Sequence, residues 1–121
     1  MPARVEDANA ELFKTLAHPV RIRVLELLLE GPRPVGDLRA GVGVEASNLS
    51  HQLAVLRRSG LVSMARDSGN VTYTLSAPVI TDLLQASRRV LTALLDGRTG
   101  LLAELQGPPP QERRRPDSQP G

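Results

Sequence analysis

The chain has no cysteine, no tryptophan, one phenylalanine and one tyrosine, Phe13 and Tyr73. The missing cysteine removes disulfides, thiolate metal sites, thiol nucleophiles and thiol redox sensing together. No long apolar run is present either. The longest stretch of large aliphatic residues is Leu27-Leu28-Leu29, far short of a membrane span. The opening Met1-Pro-Ala-Arg-Val-Glu-Asp7 lacks the apolar core of a signal peptide, so a cytoplasmic location is expected. Lysine is nearly absent. Fourteen of the fifteen Lys/Arg are arginines, which hold their protons to high pH and carry the isoelectric point to about 9.9 although the net charge is only +2.

The residues that are present describe a small globular chain. Its 121 residues suit one domain, with 40% hydrophobic and 23% charged residues. The charge is unevenly placed. One Arg faces three acids from Met1 to Glu11, eleven Lys/Arg face seven Asp/Glu from Leu12 to Gly100, and three of each follow. The basic middle permits a polyanionic partner. A folded domain is expected over residues 1–106. The remainder, Gly107 to Gly121, holds five prolines, three arginines and no aliphatic residue, so a disordered tail is expected over 107–121. Its Arg113-Arg114-Arg115 cluster reads as a solvated segment or as a weak nucleic-acid contact.

Before the tail the pattern is helical with one β interruption. Asp7 reads as an N-cap for a first helix carrying Leu12, Phe13 and Leu16. His18-Pro19 breaks and restarts the chain. The second helix, Pro19 to about Leu29, is apolar on most sides and reads as the central core helix. A short helix around Val35 to Ala40 follows, then a turn, Gly41-Val-Gly-Val44. A fourth helix is expected over 45–59, closed by Gly60. Leu61 to Arg66 and Val71 to Leu75 read as two strands, joined by the hairpin-like Asp67-Ser-Gly-Asn70. A long last helix starts at Pro78 and runs to about Asp96, and its aliphatic rhythm resumes at Leu101 after Gly97 to Gly100.

This order defines a winged helix-turn-helix: mainly α, with a small two-stranded β-wing. Such units place a second helix in the DNA major groove. Leu49, Leu53 and Leu56 form the core stripe of the fourth helix at i, i+4, i+7. The opposite face carries Ser47, His51, Ala54 and Arg58, flanked by Asn48, Ser50, Gln52 and Val55. It is short, polar and free of carboxylates. The amides, hydroxyls and imidazole suit base edges and phosphates, and Arg57 and Arg58 suit phosphates. On the hairpin, Arg66 is either a wing contact or an ordinary surface arginine. The DNA-binding set is therefore Ser47, Asn48, Ser50, His51, Gln52, Arg57, Arg58 and Arg66. The large aliphatics of the last helix would be exposed on a monomer, and burial against a second copy is the economical outcome. The expected dimer interface is Leu12, Phe13, Leu16, Leu83, Leu84, Val90, Leu91 and Leu94.

Two stretches resemble a known family. Leu16-Ala-His-Pro-Val-Arg-Ile-Arg-Val-Leu25 is similar to the opening motif of the ArsR/SmtB winged-helix transcriptional regulators, and Ser50-His-Gln-Leu-Ala-Val-Leu-Arg-Arg-Ser-Gly-Leu-Val62 to their recognition-helix signature. Tyr73-Thr-Leu75 looks like their closing wing strand. The resemblance spans about Leu12 to Asp96. It implies a homodimer built through the first and last helices that binds an inverted-repeat operator and usually represses it. Two positions depart: Gln52 stands where the family has histidine, with His51 one place earlier, and Gly69-Asn70 stands where the wing tip has Gly-Arg. Arg66 is the replacement wing contact. The family's metal-ligand motifs are also missing, since Pro34-Val-Gly36 stands at the Cys-Val-Cys position and Ser76 to Ile80 supplies no histidine. No metal, cofactor or catalytic residue is therefore expected, while the effector stays open. The alternative to DNA binding is a winged-helix protein-interaction module, suggested by the modest net charge.

Overall fold

A computed structural model describes residues 4–105, so the expected tail lies outside the described residues. The elements are α1 (Val5–Leu16), α2 (Pro19–Leu27) continued by a 3-10 turn (Leu28–Glu30), β1 (Arg33–Pro34), α3 (Val35–Val42), α4 (Ala46–Arg58), β2 (Val62–Asp67), β3 (Asn70–Leu75) and α5 (Val79–Leu105). Among the described residues, those up to Leu84 form one compact unit, and those from Gln85 to Leu105 belong to a second. No helix among the described residues is long and apolar enough to cross a membrane.

The core of the first unit is aliphatic. Val24 and Leu25 of α2, Leu38 of α3 and Leu56 of α4 are fully buried, joined by Leu28, Leu49, Leu53, Leu61, Val62 and Tyr73. Helix α2 packs on both α3 and α4, so it is the central helix the sequence suggests, although Ile22 points out of the core. Its start is set by His18, whose Nδ1 accepts from the Val20 N–H at 3.2 Å, with Pro19 filling the first turn.

Several boundaries differ from the sequence reading. Asp7 is not the cap of α1: the helix starts a turn earlier, with Arg4 at the N-cap and Asp7 inside the first turn, where a carboxylate suits the helix dipole. Gly41 and Val42 belong to α3 rather than to a turn. A Cβ at Gly41 would lie 2.7 Å from Leu27 Cδ1, so the missing side chain lets α3 lie close to α2. The turn is confined to Gly43-Val44-Glu45, with Gly43 left-handed (φ 76°) to end α3. Helix α5 runs through Gly97 and Gly100.

The sheet has three strands, not two. Its order is β1-β3-β2, all antiparallel. The extra strand is the two-residue Arg33–Pro34, pairing with Tyr73 and Thr72 of β3. It is an edge strand, the place where proline's missing N–H is tolerated. Between β2 and β3 the pairing ends at Asp67↔Asn70, leaving a two-residue loop, Ser68-Gly69. Both residues have positive φ, 52° and 82°, the arrangement of a tight hairpin turn that matches the strand twist. Serine pays backbone strain in this region, whereas asparagine tolerates it. Ser68→Asn is therefore expected to stabilise the protein by about 0.5 kcal/mol. An unchanged urea midpoint would count against strain at this turn.

Candidate nucleic-acid interface

Helix α4 is held by its inner stripe. Leu49, Leu53 and Leu56 are buried against the rest of the unit, which turns the opposite arc outward. Ser47, Asn48, Ser50, His51, Arg57 and Arg58 are all exposed, and Ala54 and Val55 are half-buried at its margin. The whole of α4 is free of carboxylates. Its N-cap, Glu45, makes no side-chain cap bond. The N–H groups of Ala46, Ser47 and Asn48 precede the first intrahelical bond, from Leu49 N–H to the Glu45 carbonyl at 3.0 Å. That end of α4 carries the positive pole of the helix dipole.

Gln52 is the exception among the expected contacts. It is only 5% exposed, and its Oε1 accepts from Arg21 Nε of α2 at 2.8 Å. Its Nε2 donates to Asn48 Oδ1 at 3.1 Å. Arg21 also donates through Nη1 to the Thr15 carbonyl at 3.0 Å. Gln52 therefore faces inward and ties α4 to α2, while its partner Asn48 remains at the surface.

Arg66 of β2 is exposed. Side chains alternate along a strand, so Arg66 shares a face with Val62 and Met64, which lead into the core. It lies opposite Val71, one cross-strand pair before the turn pair Asp67↔Asn70. Arg66 thus continues the inward side of the ribbon toward its tip.

Arg39 of α3 is a cation that the sequence reading did not single out. It lines, with Val35, Gly36, Ala46, Leu49, Ser50, Leu53 and Tyr73, a cleft of about 260 Å³ between α3 and the start of α4. An open hollow of about 350 Å³ is bordered by Ala54, Arg57 and Arg58. The ion pairs found among the described residues are Arg23–Glu26 at 3.8 Å and Arg33–Glu30 at 3.1 Å. None involves Arg39, Arg57, Arg58 or Arg66, so four exposed cations on α3, α4 and the wing keep their charge uncompensated. Among the described residues no three His, Asp or Glu side chains are grouped to hold a metal ion.

The residues expected at a dimer contact divide. Leu16 and Leu84 are buried in the first unit's own core, and Leu12 and Leu83 are partly buried against it. Phe13 is exposed, as are Val90, Leu91 and Leu94 of α5 together with Leu95.

Comparison with known proteins places this arrangement. Residues 18–64 match the model of the bacterial regulatory protein, arsR family. The chain is 52% identical over 99 residues to the uncharacterized HTH-type transcriptional regulator Rv0081 of Mycobacterium tuberculosis, covering 81% of this chain and 87% of that protein. The crystal structure of Rv0081 superposes with a TM-score of 0.76 at 49% identity, over 81% of this chain and 99% of that one. The biofilm growth-associated repressor of Xylella fastidiosa is 38% identical over 84 residues, 69% of this chain and 74% of that protein. In fold alone the chain also resembles the homodimeric winged helix-turn-helix DNA-binding domain Mb0332 of Mycobacterium bovis, with a TM-score of 0.69 at 24% identity, over 80% of this chain and 95% of that one. With a winged helix-turn-helix, an outward polar α4 and relatives that share most of its length, the chain belongs to the ArsR family of bacterial transcriptional regulators.

Proposed function

We propose that the protein is a homodimeric, sequence-specific repressor that binds an inverted-repeat operator with α4 in the major groove. The observation that carries this reading is the outer face of α4: six polar or cationic side chains (Ser47, Asn48, Ser50, His51, Arg57 and Arg58) exposed on a helix without a carboxylate. Ser47, Asn48, Ser50 and His51 meet base edges and nearby phosphates. Arg57, Arg58, Arg39 and the wing's Arg66 neutralise phosphates to either side. The likeness to a named repressor and to a homodimeric DNA-binding domain supports the assignment. A chromosomal partner puts the protein in the cytoplasm. The reading contains no catalytic step, and Glu26 and Glu30, the paired carboxylates of the core-helix segment, are each tied to an arginine.

A second copy completes the geometry, because twofold-related reading helices about 34 Å apart meet successive turns of one groove. The residues proposed to meet the second copy are Leu12, Phe13 and Leu83 of the first unit and Val90, Leu91 and Leu94 of the second. Leu16 and Leu84 stay within the first unit's own core.

Binding to the protein's own promoter region is to be compared with random duplex while salt is varied. Promoter binding is expected to be at least about a thousandfold tighter. Arg58→Ala is expected to weaken every duplex and to lower the salt slope by about one unit or less per subunit. Substitution of Ser47, Asn48 and His51 is expected to change sequence preference instead. Equal affinity for both duplexes at every salt concentration would remove the specificity. No DNA affinity at low salt, with a protein partner retained after nuclease treatment, would turn the reading to a protein-interaction module.

A further inference from the structure

The hydrogen bonds that run from α1 through α2 to α4 have a direction, and the direction decides what Asn48 can offer to a ligand. Arginine has donors only. Arg21 Nε–H therefore fixes Oε1 as the inward end of the Gln52 amide, at 2.8 Å. Its Nη1 is held at the same time by the Thr15 carbonyl, at 3.0 Å, so the guanidinium is anchored on both sides. With Oε1 committed, Nε2 is the end that meets Asn48, and it donates to Asn48 Oδ1 at 3.1 Å. Gln52 is buried to 95% of its surface, where turning the amide over would set donor against donor at Arg21 and leave buried groups unpaired. Asn48 is exposed, and the bond from Gln52 takes one of the two lone pairs of its Oδ1 and turns that end of the amide toward Gln52. The end turned away from Gln52 is the Nδ2 amide, a donor.

We propose that Arg21, acting through Gln52, presets Asn48 as a hydrogen-bond donor toward DNA, so that the operator carries an acceptor edge, guanine, at the base Asn48 meets. This rests on the reading of α4 as the groove helix. An asparagine with both amide ends free pairs bidentately with adenine, which offers one donor and one acceptor. Here the acceptor end is turned to Gln52. Guanine shows two acceptors, O6 and N7, in the major groove, and cytosine shows a donor, so guanine fits and cytosine is rejected. Arg21 and Gln52 touch no base in this scheme and act as positioning residues.

Sequences bound from a half-site library are to be selected with the wild-type dimer and with three variants. In Gln52→Glu both carboxylate oxygens accept. One still receives Arg21, and the other requires Asn48 to turn Nδ2 inward and present Oδ1. One position per half-site is then expected to change from guanine to cytosine or adenine, a shift of about tenfold or more in relative affinity, while the others stay. Asn48→Asp leaves the core untouched, offers only acceptors, and is expected to produce the same inversion on a weaker overall affinity. Arg21→Met frees the Gln52 amide and is expected to blur that one position without inverting it. A purely structural role for the chain of bonds would change stability or affinity, never the identity of one selected base. Wild-type protein that does not separate promoter from random DNA overturns the groove reading and this inference with it. A discriminating wild type whose Asn48→Asp variant selects the same base at every position overturns this inference alone.

Discussion

Leu91→Glu combined with Leu94→Glu is expected to leave a monomer at micromolar concentration and to weaken binding to the full operator by roughly 10²–10⁴-fold. The two leucines are 55% and 61% exposed and lie with Val90 and Leu95 at i, i+1, i+4 and i+5, one stripe of α5. Burying the remaining exposed part of each side chain against a second copy is worth about 1–2 kcal/mol, and each contact occurs twice in a symmetric pair. Glutamates at those positions forfeit that gain and must lose water from a carboxylate if the interface is to close. The helix itself accepts them, since glutamate is a good helix former at exposed sites. The affinity loss follows from geometry rather than from any contact to DNA. In a dimer the second half-site is met at the high effective concentration set by the first, and a monomer loses that advantage. Sedimentation and titration of full and half operators separate the two effects: the variant binds a half-site as wild-type monomer does, whereas Arg58→Ala stays dimeric and loses affinity for both. A double variant that remains dimeric would exclude this stripe as the interface.

The features legible in the sequence were those with a repeat or a fixed local chemistry. The Leu49, Leu53, Leu56 stripe set the outward face of α4, and Ser68-Gly69 sits in the hairpin turn that its composition suggests. His18-Pro19 reads directly as a helix start. The helical wheel puts Gln52 on the outer flank, and the structure turns it inward. On a helical wheel it lies about 60° from Leu49, beside Leu56, and a polar residue on that border buries only when a partner reaches it. That partner, Arg21, is 31 residues away in sequence and belongs to the first family-like motif, so the contact is tertiary and leaves no local periodicity. Strand β1 was invisible for a related reason: two residues, one a proline, carry no alternation, and β3 alone makes them a strand. Gly97 and Gly100 suggested an end to the last helix, but each glycine costs only about 1 kcal/mol in a helix interior, and aliphatic residues on both sides continue the pattern. Periodicity groups Leu16 and Leu84 with the exposed stripe, because it tells which face is apolar and not which neighbour covers it. Arg39 is not legible in the sequence, since one arginine on a short helix has no distinguishing pattern until α3 and α4 are brought together around their cleft.

Leu25→Ala is expected to cost about 2–5 kcal/mol of stability, the largest loss from any single residue considered. Leu25 is fully buried on α2, and α2 is packed against both α3 and α4, so the cavity would open where the two helices of the helix-turn-helix meet their common support. Small domains have only about 5–15 kcal/mol in total, and a melting point near the usual range would fall by about 10–25 °C. The core has few ways to relax around the gap. Its fully buried neighbours are branched aliphatics, Val24, Leu38, Leu49, Leu53 and Leu56, and its one aromatic ring, Tyr73, belongs to the central strand of the sheet. Leu25→Met, which keeps the volume, is expected to cost less than about 1.5 kcal/mol. DNA affinity separates this defect from damage to the groove face. Well below its melting point the folded fraction of Leu25→Ala binds the operator with the wild-type salt slope, because no phosphate contact has been removed. Its apparent stability also rises with protein concentration if the folded state is the dimer. Denaturation followed at two protein concentrations, with operator titration in parallel, measures both. A Leu25→Ala protein as stable as wild type would mean that α2 is not the support on which the reading helix is built.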